Sequence, residues 1–273
     1  MADASEQLGT DPQRHQLSTR LRVVGAVLIV VSLGLWAIES GFGDARSTTS
    51  KFWHYVRAVG WDLPELIWFW ELASQAVARD ALIALLALVA LLLGSRRKIQ
   101  LLFLVPIISG IVVNLLKVIA CRARPHGDIG SWPSGHASSA FALFVVALVL
   151  KFRGFRLFAG FVVLAAWSRV MLERHWPADL VASLGVVCVC TSYAIRLPVL
   201  MPRWVGSPRF LAFLAGIGWL RSAIVFPFED ERSIPNLAWA LLLWSATLLI
   251  ALQRIADHEV RIAGRRLVQR GVV

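Results

Sequence analysis

The chain has 273 residues, 58% of them hydrophobic and only 16% charged, far from the composition of a soluble domain. The apolar residues gather in stretches of about sixteen to twenty, the length a helix needs to cross a ~30 Å hydrocarbon core, and the charges fall in the gaps, which excludes a merely large soluble core. The net charge of +11, from 28 basic and 17 acidic residues, would suggest nucleic acid as the partner of a soluble protein; here loops on one side of a membrane account for the excess, and no nucleic-acid partner is expected.

Residues 1–22 read as a polar cytoplasmic tail with no helix. The apolar run 23–38 is the first span, uncleaved because no small-residue cleavage site follows it. Segment 41–78 carries Trp53, Trp61, Trp68 and Trp70 near Asp62, Pro64 and Glu65. That density suits the membrane interface, as a lid or lipid-entry surface over a site or as an aromatic anchor. Further spans fall at about 80–94, 99–118, 136–150, 157–173, 179–195, 208–226 and 236–253. The expected fold is therefore all-α: a polytopic membrane helical bundle of about eight spans. Its core would occupy 23–197, a C-terminal membrane hairpin 198–253, and a basic cytoplasmic tail 254–273. A six-span arrangement without the last pair is the alternative.

Charge fixes the expected orientation. With the N-terminus inside, 17 of the 28 basic residues and five of the 17 acidic ones fall in inside segments, which puts both termini in the cytoplasm and the turn Glu229, Asp230, Glu231 outside. Cys121, Cys188 and Cys190 have no metal-ligand spacing and read as packing residues, with no disulfide framework. Arg79, Arg122, Arg174 and Arg221 read as interfacial anchors that snorkel. His15 and His258 lie in the tails, His54 outside, and His126 with Asp128 in a loop that could shape substrate access.

Ionisable residues near membrane depth need a reason, and three clusters fall on the same outside face. Lys117, Arg124 and Pro125 follow the third span. Pro133, Ser134, Gly135 and His136 open the fourth. Ser168 and Arg169 close the fifth, and His175 and Asp179 open the sixth. Two guanidinium forks and an ammonium suit a tetrahedral dianion. Ser134 can cap the fourth span, and Gly135 lets an anion approach the N–H groups at that helix's positive end. Two histidines suit a double displacement, one attacking phosphorus and one protonating the leaving oxygen. Asp179, just after the helix-starting Pro177, can hold the far nitrogen of His175, which leaves His136 as the acid.

Lys117-x6-Arg124-Pro125, Pro133-Ser134-Gly135-His136 and Ser168-Arg169-x5-His175-x3-Asp179 resemble the three signature motifs of the type 2 phosphatidic acid phosphatase superfamily, the lipid phosphate phosphatases. All eleven fixed positions match in order, across the spans from about 99 to 195. The resemblance implies a lipid phosphatase in which His175, oriented by Asp179, becomes a phosphohistidine and His136 protonates the leaving group. It implies that Lys117, Arg124, Ser134, Gly135 and Arg169 bind the phosphate, with no metal and no cofactor. The expected partners are the bilayer and a lipid phosphate, with protein partners open; the expected location is a bacterial inner membrane with the site facing the periplasm or exterior. Undecaprenyl diphosphate, phosphatidylglycerophosphate, phosphatidic acid and a lipid A phosphate all remain as substrates. Phosphoryl transfer to another acceptor, or a non-catalytic lipid-binding or transport role, are the alternatives to hydrolysis.

Overall fold

The computed structural model describes residues 11–41, 64–75, 79–93, 95–125, 129–151, 155–172, 174–200, 202–225 and 234–269. Among these the protein is all-helical, save one isolated bridge between Ala123 and Ile129. The helices are α1 (Asp11–Gly41), α2 (Pro64–Gln75), α3 (Arg79–Leu93), α4 (Arg96–Ala120), α5 (Gly135–Val149), α6 (Phe155–Met171), α7 (Pro177–Ala194), α8 (Pro208–Val225) and α9 (Ile234–Gln269). A helix stands at each of the eight expected spans. Four stretches, Pro12–Glu39, Arg96–Ala120, Pro177–Ala194 and Leu237–Ile262, are long and apolar enough to cross a membrane, and Ala81–Leu93, Gly135–Val149 and Ala159–Met171 are shorter apolar helices. The architecture is a helical membrane bundle.

Its side chains are distributed as lipid requires. Along α1, Val23, Val27, Val30, Val31 and Ile38 point outward, as do Ile107, Ile111, Leu115 and Val118 along α4. The buried positions of α1 are small, Ser18, Gly25 and Ser32. Lipid tails are as apolar as valine, so helices in a bilayer gain from close backbone approach and hydrogen bonding rather than from hiding apolar surface.

Two units divide the chain, residues 1–78 with 101–198, and residues 79–100 with 199–273. In the first, α7 is central: α1 packs along it, α5 and α6 pack beside it, and Val113 of α4 meets Val186 and Cys190. The α1–α7 seam runs antiparallel with a seven-residue step. Ser18 Oγ donates to Ser192 O at 2.8 Å, Gly25 meets Gly185, and Ser32 Oγ donates to Ala178 O at 2.8 Å. Ile29 and Trp36 fill the intermediate positions, a heptad seam.

That seam corrects the expectation of a non-helical tail. Helix α1 begins at Asp11, because the contact with α7 continues past the apolar run to Ser18 and because Arg22 lies over the Tyr193 ring at 5.6 Å. Helix α2, with Pro at its first position, is an element within 41–78 that the sequence reading left undivided; Trp53, Trp61 and His54 lie outside the described residues. Of the cysteines, Cys188 and Cys190 are buried as expected, whereas Cys121 is exposed.

The second unit is built from α3, α8 and α9, joined by Ala84, Ala87, Ala215, Ala240 and Trp244. Gly218 makes room for the Trp244 ring, since a Cβ there would lie 2.2 Å from it. Helix α9 continues to Gln269, so most of the basic segment expected as a tail is helical.

The seam generates a test. A Cβ on Gly25 would sit 2.7 Å from Gly185 O, and one on Gly185 2.9 Å from Gly25 O. Backbone cannot yield there, so Gly185→Ala is expected to destabilise the protein by about 1–3 kcal/mol. Gly34 has open space around it, so Gly34→Ala is expected to be neutral or to stabilise by up to about 1 kcal/mol. Thermal unfolding in detergent checks both.

Candidate active site

The site lies in the first unit, where α4 and α6 end and α5 and α7 begin. Beyond Ala120 the chain turns sharply at Cys121, which adopts φ 44°. It then folds back on itself: Gly130 N and Ser131 N donate to Arg122 O at 2.8 and 2.9 Å, with Gly130 at φ 90°, where a side chain would be strained. Ser134 follows in extended backbone as N-cap of α5, accepting from Ala137 N at 3.4 Å. A Cβ on Gly135 would lie 3.6 Å from Lys117 Nζ. The bare glycine therefore keeps open the space between the ammonium and the positive end of α5, two features that both attract an anion.

Helix α6 closes on the other side. Arg169 O accepts from Arg174 N at 3.0 Å and His175 N at 3.1 Å, a tight turn that carries His175 back toward the bundle. Arg169 Nη1 donates to Ser74 Oγ of α2 at 2.5 Å. The starts of α5 and α7 are tied together: Ser183 Oγ lies 2.6 Å from Asp179 O and 2.9 Å from Ser134 O, and Ser134 N reaches Asp179 O at 3.4 Å.

His175 and Asp179 form a buried polar pair, 2% and 0% exposed. His175 Nδ1 lies 3.1 Å from Asp179 Oδ2. The same oxygen accepts from Trp176 N at 2.9 Å and from the Ser131 hydroxyl, and Oδ1 accepts from Arg122 Nη1 at 2.9 Å. A carboxylate holding Nδ1–H leaves Nε2 with its lone pair free. Burial pushes the His175 imidazole below its ordinary range, outweighing the Asp179 carboxylate that pulls it up, while Arg169 and Lys117 lower it further. His136, half-buried at the start of α5, faces Arg169, His175, Lys117 and Arg124.

All eight positions expected at a site thus gather here: His136, His175 and Asp179, with Lys117, Arg124, Ser134, Gly135 and Arg169. Among the described residues no carboxylate forms an ion pair with Lys117, Arg124 or Arg169, and the buried Nε atoms of Arg124 and Arg169 have no hydrogen-bond partner. Three cations and spare N–H donors around two histidines constitute an anion cradle. His126 and Asp128 lie outside the described residues.

One expectation is overturned. Arg122 does not snorkel; its side chain is 7% exposed and pairs with both Asp179 and Glu39. An arginine two residues from the end of a span looks like an anchor when read alone. The signal available was the crowding of three cations, Lys117, Arg122 and Arg124, within eight residues, more than anchoring needs. Ser131 and Ser74 carried no such signal. Trp132 Nε1 donates to Ser32 Oγ at 2.9 Å and Trp176 Nε1 to Ala123 O at 3.1 Å.

Comparison with known proteins places this geometry. Residues 97–200 match the family model described as PAP2 superfamily. Two curated relatives, each named lipid A 1-phosphatase, from Rhizobium johnstonii and Rhizobium etli, are 34% identical over 103 residues. The aligned segment covers 31% of this chain and 41% and 43% of those relatives, less than half of either. No solved structure matches the chain. The matched segment contains all eight positions of the cradle.

Proposed function

We propose that the protein is a membrane lipid phosphatase that works through a phosphohistidine on His175. The observation that carries this is the buried His175–Asp179 pair, Nδ1 to Oδ2 at 3.1 Å, set beside three cations that form no ion pair with a carboxylate among the described residues. Nε2 of His175 attacks phosphorus, forming a P–N bond as the P–O bond to the lipid breaks. His136 gives its proton to the departing lipid oxygen, a poor leaving group otherwise. Water then attacks the phosphoryl group, His136 takes up a proton from it, and the P–N bond breaks to release inorganic phosphate.

Lys117, Arg124 and Arg169 hold the phosphoryl oxygens, with the N–H groups at the start of α5 completing the cradle. Ser134 fixes that helix end, and Gly135 keeps the approach clear. Helix α2 serves the same site from the Trp-rich segment: Ser74 near its end holds Arg169 while Ile67, Trp68 and Phe69 nearer its start are exposed, which supports α2 as the surface a lipid headgroup passes. Relatives named lipid A 1-phosphatase support a lipid phosphate as substrate and make the phosphate of lipid A the first to test. The charge distribution supports a site facing away from the cytoplasm.

Purified protein in detergent is expected to release phosphate from one class of lipid phosphate, undiminished by chelator, and His175→Ala is expected to abolish release; no release from any lipid phosphate or diphosphate would contradict the reading. His136→Gln is expected to lower kcat by about 10²- to 10⁴-fold, with phosphate release from an activated aryl phosphate lowered less, since that leaving group needs no proton. The pH dependence has a definite sign. Only neutral His175 attacks, and its pKa lies below the ordinary 6.5, while His136 must carry a proton, so kcat/KM is expected not to fall as pH drops to 6.5 and to be lost to protonation of His175 only below it. Ser74→Ala is expected to raise KM by up to about tenfold, the worth of one charge-assisted hydrogen bond, with kcat little changed.

A further inference from the structure

Arg122 is a buried cation that phosphate binding leaves unused. Both ends of its guanidinium are engaged, Nη1 on Asp179 Oδ1 at 2.9 Å and Nη2 on Glu39 Oε2. Its faces are covered as well, with Trp36 and Trp176 rings at 5.3 and 5.5 Å from the central carbon. Both terminal nitrogens are thus committed to carboxylates of the protein. Its backbone carbonyl meanwhile anchors Gly130 N and Ser131 N, and the Ser131 hydroxyl reaches the other oxygen of Asp179. Residue 122 thus governs both Asp179 oxygens, one directly and one through Ser131.

Glu39 is the second part of the arrangement. It comes from the end of α1, outside the segment that carries the motifs, and it also accepts from the backbone N–H of Ala178 in the first turn of α7. An arginine paired with Asp179 alone would cancel the charge that His175 relies on. A second carboxylate on the same guanidinium leaves the group with one net negative charge. That charge is what a histidine needs as it becomes cationic on forming a P–N bond.

Resting on the phosphatase reading, we infer that Arg122 and Glu39 are a coupled pair of positioning residues: Arg122 holds Asp179 in the geometry that orients His175, and Glu39 offsets the charge of Arg122 so that Asp179 still stabilises the cationic His175. The other charged and titratable groups facing His175 are Asp179 on α7, Lys117 on α4, Arg169 on α6 and His136 on α5. None of these changes in the variants below.

The test is phosphate release across pH by full-length protein carrying Arg122→Gln, Arg122→Lys or Glu39→Gln, beside wild type. Arg122→Gln is expected to lower kcat by about 10- to 100-fold, as loss of an outer-shell partner does, with KM little changed, and Arg122→Lys to recover part of the loss. The acid limbs are expected to move in opposite directions: up in pH for Arg122→Gln, which removes a cation near His175, and down for Glu39→Gln, which removes an anion. Inhibition by inorganic phosphate at the wild-type concentration identifies variants that keep a folded site. Equal kcat in folded Arg122→Gln and wild type, or limbs that do not separate, would overturn the inference. Wild type inactive on every lipid phosphate would instead sink the phosphatase reading. NMR titration of the His175 ring then still decides the arrangement, opposite shifts in the two variants supporting it and coincident titrations refuting it.

Discussion

One buried carboxylate organises the functional end of this bundle. Asp179 is fully buried at the first turn of α7 and accepts from Arg122, Ser131, Trp176 N and His175. A buried carboxylate is costly unless its lone pairs are met, so each donor must be brought to it. The fold-back of residues 121–131 delivers Arg122 and Ser131, the turn on Arg169 O delivers His175, and α1 delivers Glu39 to the far side of Arg122. Replacing Asp179 would therefore disturb three chain segments at once.

The rest of the first unit keeps that end rigid by the means lipid permits. Ser18 and Ser32 of α1 donate to backbone carbonyls of α7, and Gly25 against Gly185 lets the two backbones touch. Outward, the same helix shows valines. Because α1 is locked along the whole of α7, Glu39 arrives beside the first turn of α7 with little freedom, and a helix outside the family-matched segment becomes part of the chemistry's surroundings. Structure and proposed mechanism meet there: the seam fixes Asp179, Asp179 Oδ2 lies against Nδ1 of His175, and the proposed mechanism uses the ring's other nitrogen for attack.

Much of this was legible in the residues. Runs of apolar sequence marked every span, because hydrocarbon leaves few alternatives to a helix. The eight candidate site positions converged because each sits where a helix begins or ends at one end of the unit. Ser134 as an N-cap followed from its place before Gly135 and a helical run. Arg122 was misread because its neighbours in space, Glu39 and Asp179, are 83 and 57 residues away in sequence, and no local pattern records such a partner. The seven-residue spacing of Ser18, Gly25, Ser32 and Glu39 did record the seam, but polar positions at the ends of an apolar run look like its boundary. Residues 79–100 grouping with 199–273 is likewise a matter of long-range packing, through Ala84 and Ala87 with Ala215 and Ala240, that small residues scarcely announce.

The claim on which the account rests is that a phosphoryl group passes through His175. Rapid quenching of the protein during turnover with a lipid phosphate, followed by mass spectrometric mapping under conditions that preserve phosphohistidine, tests it directly. The account predicts a phosphoryl group on His175, absent from His175→Ala and accumulating when hydrolysis of the intermediate is slowed. A phosphoryl group on another residue, or turnover with no covalent intermediate at all, would contradict it.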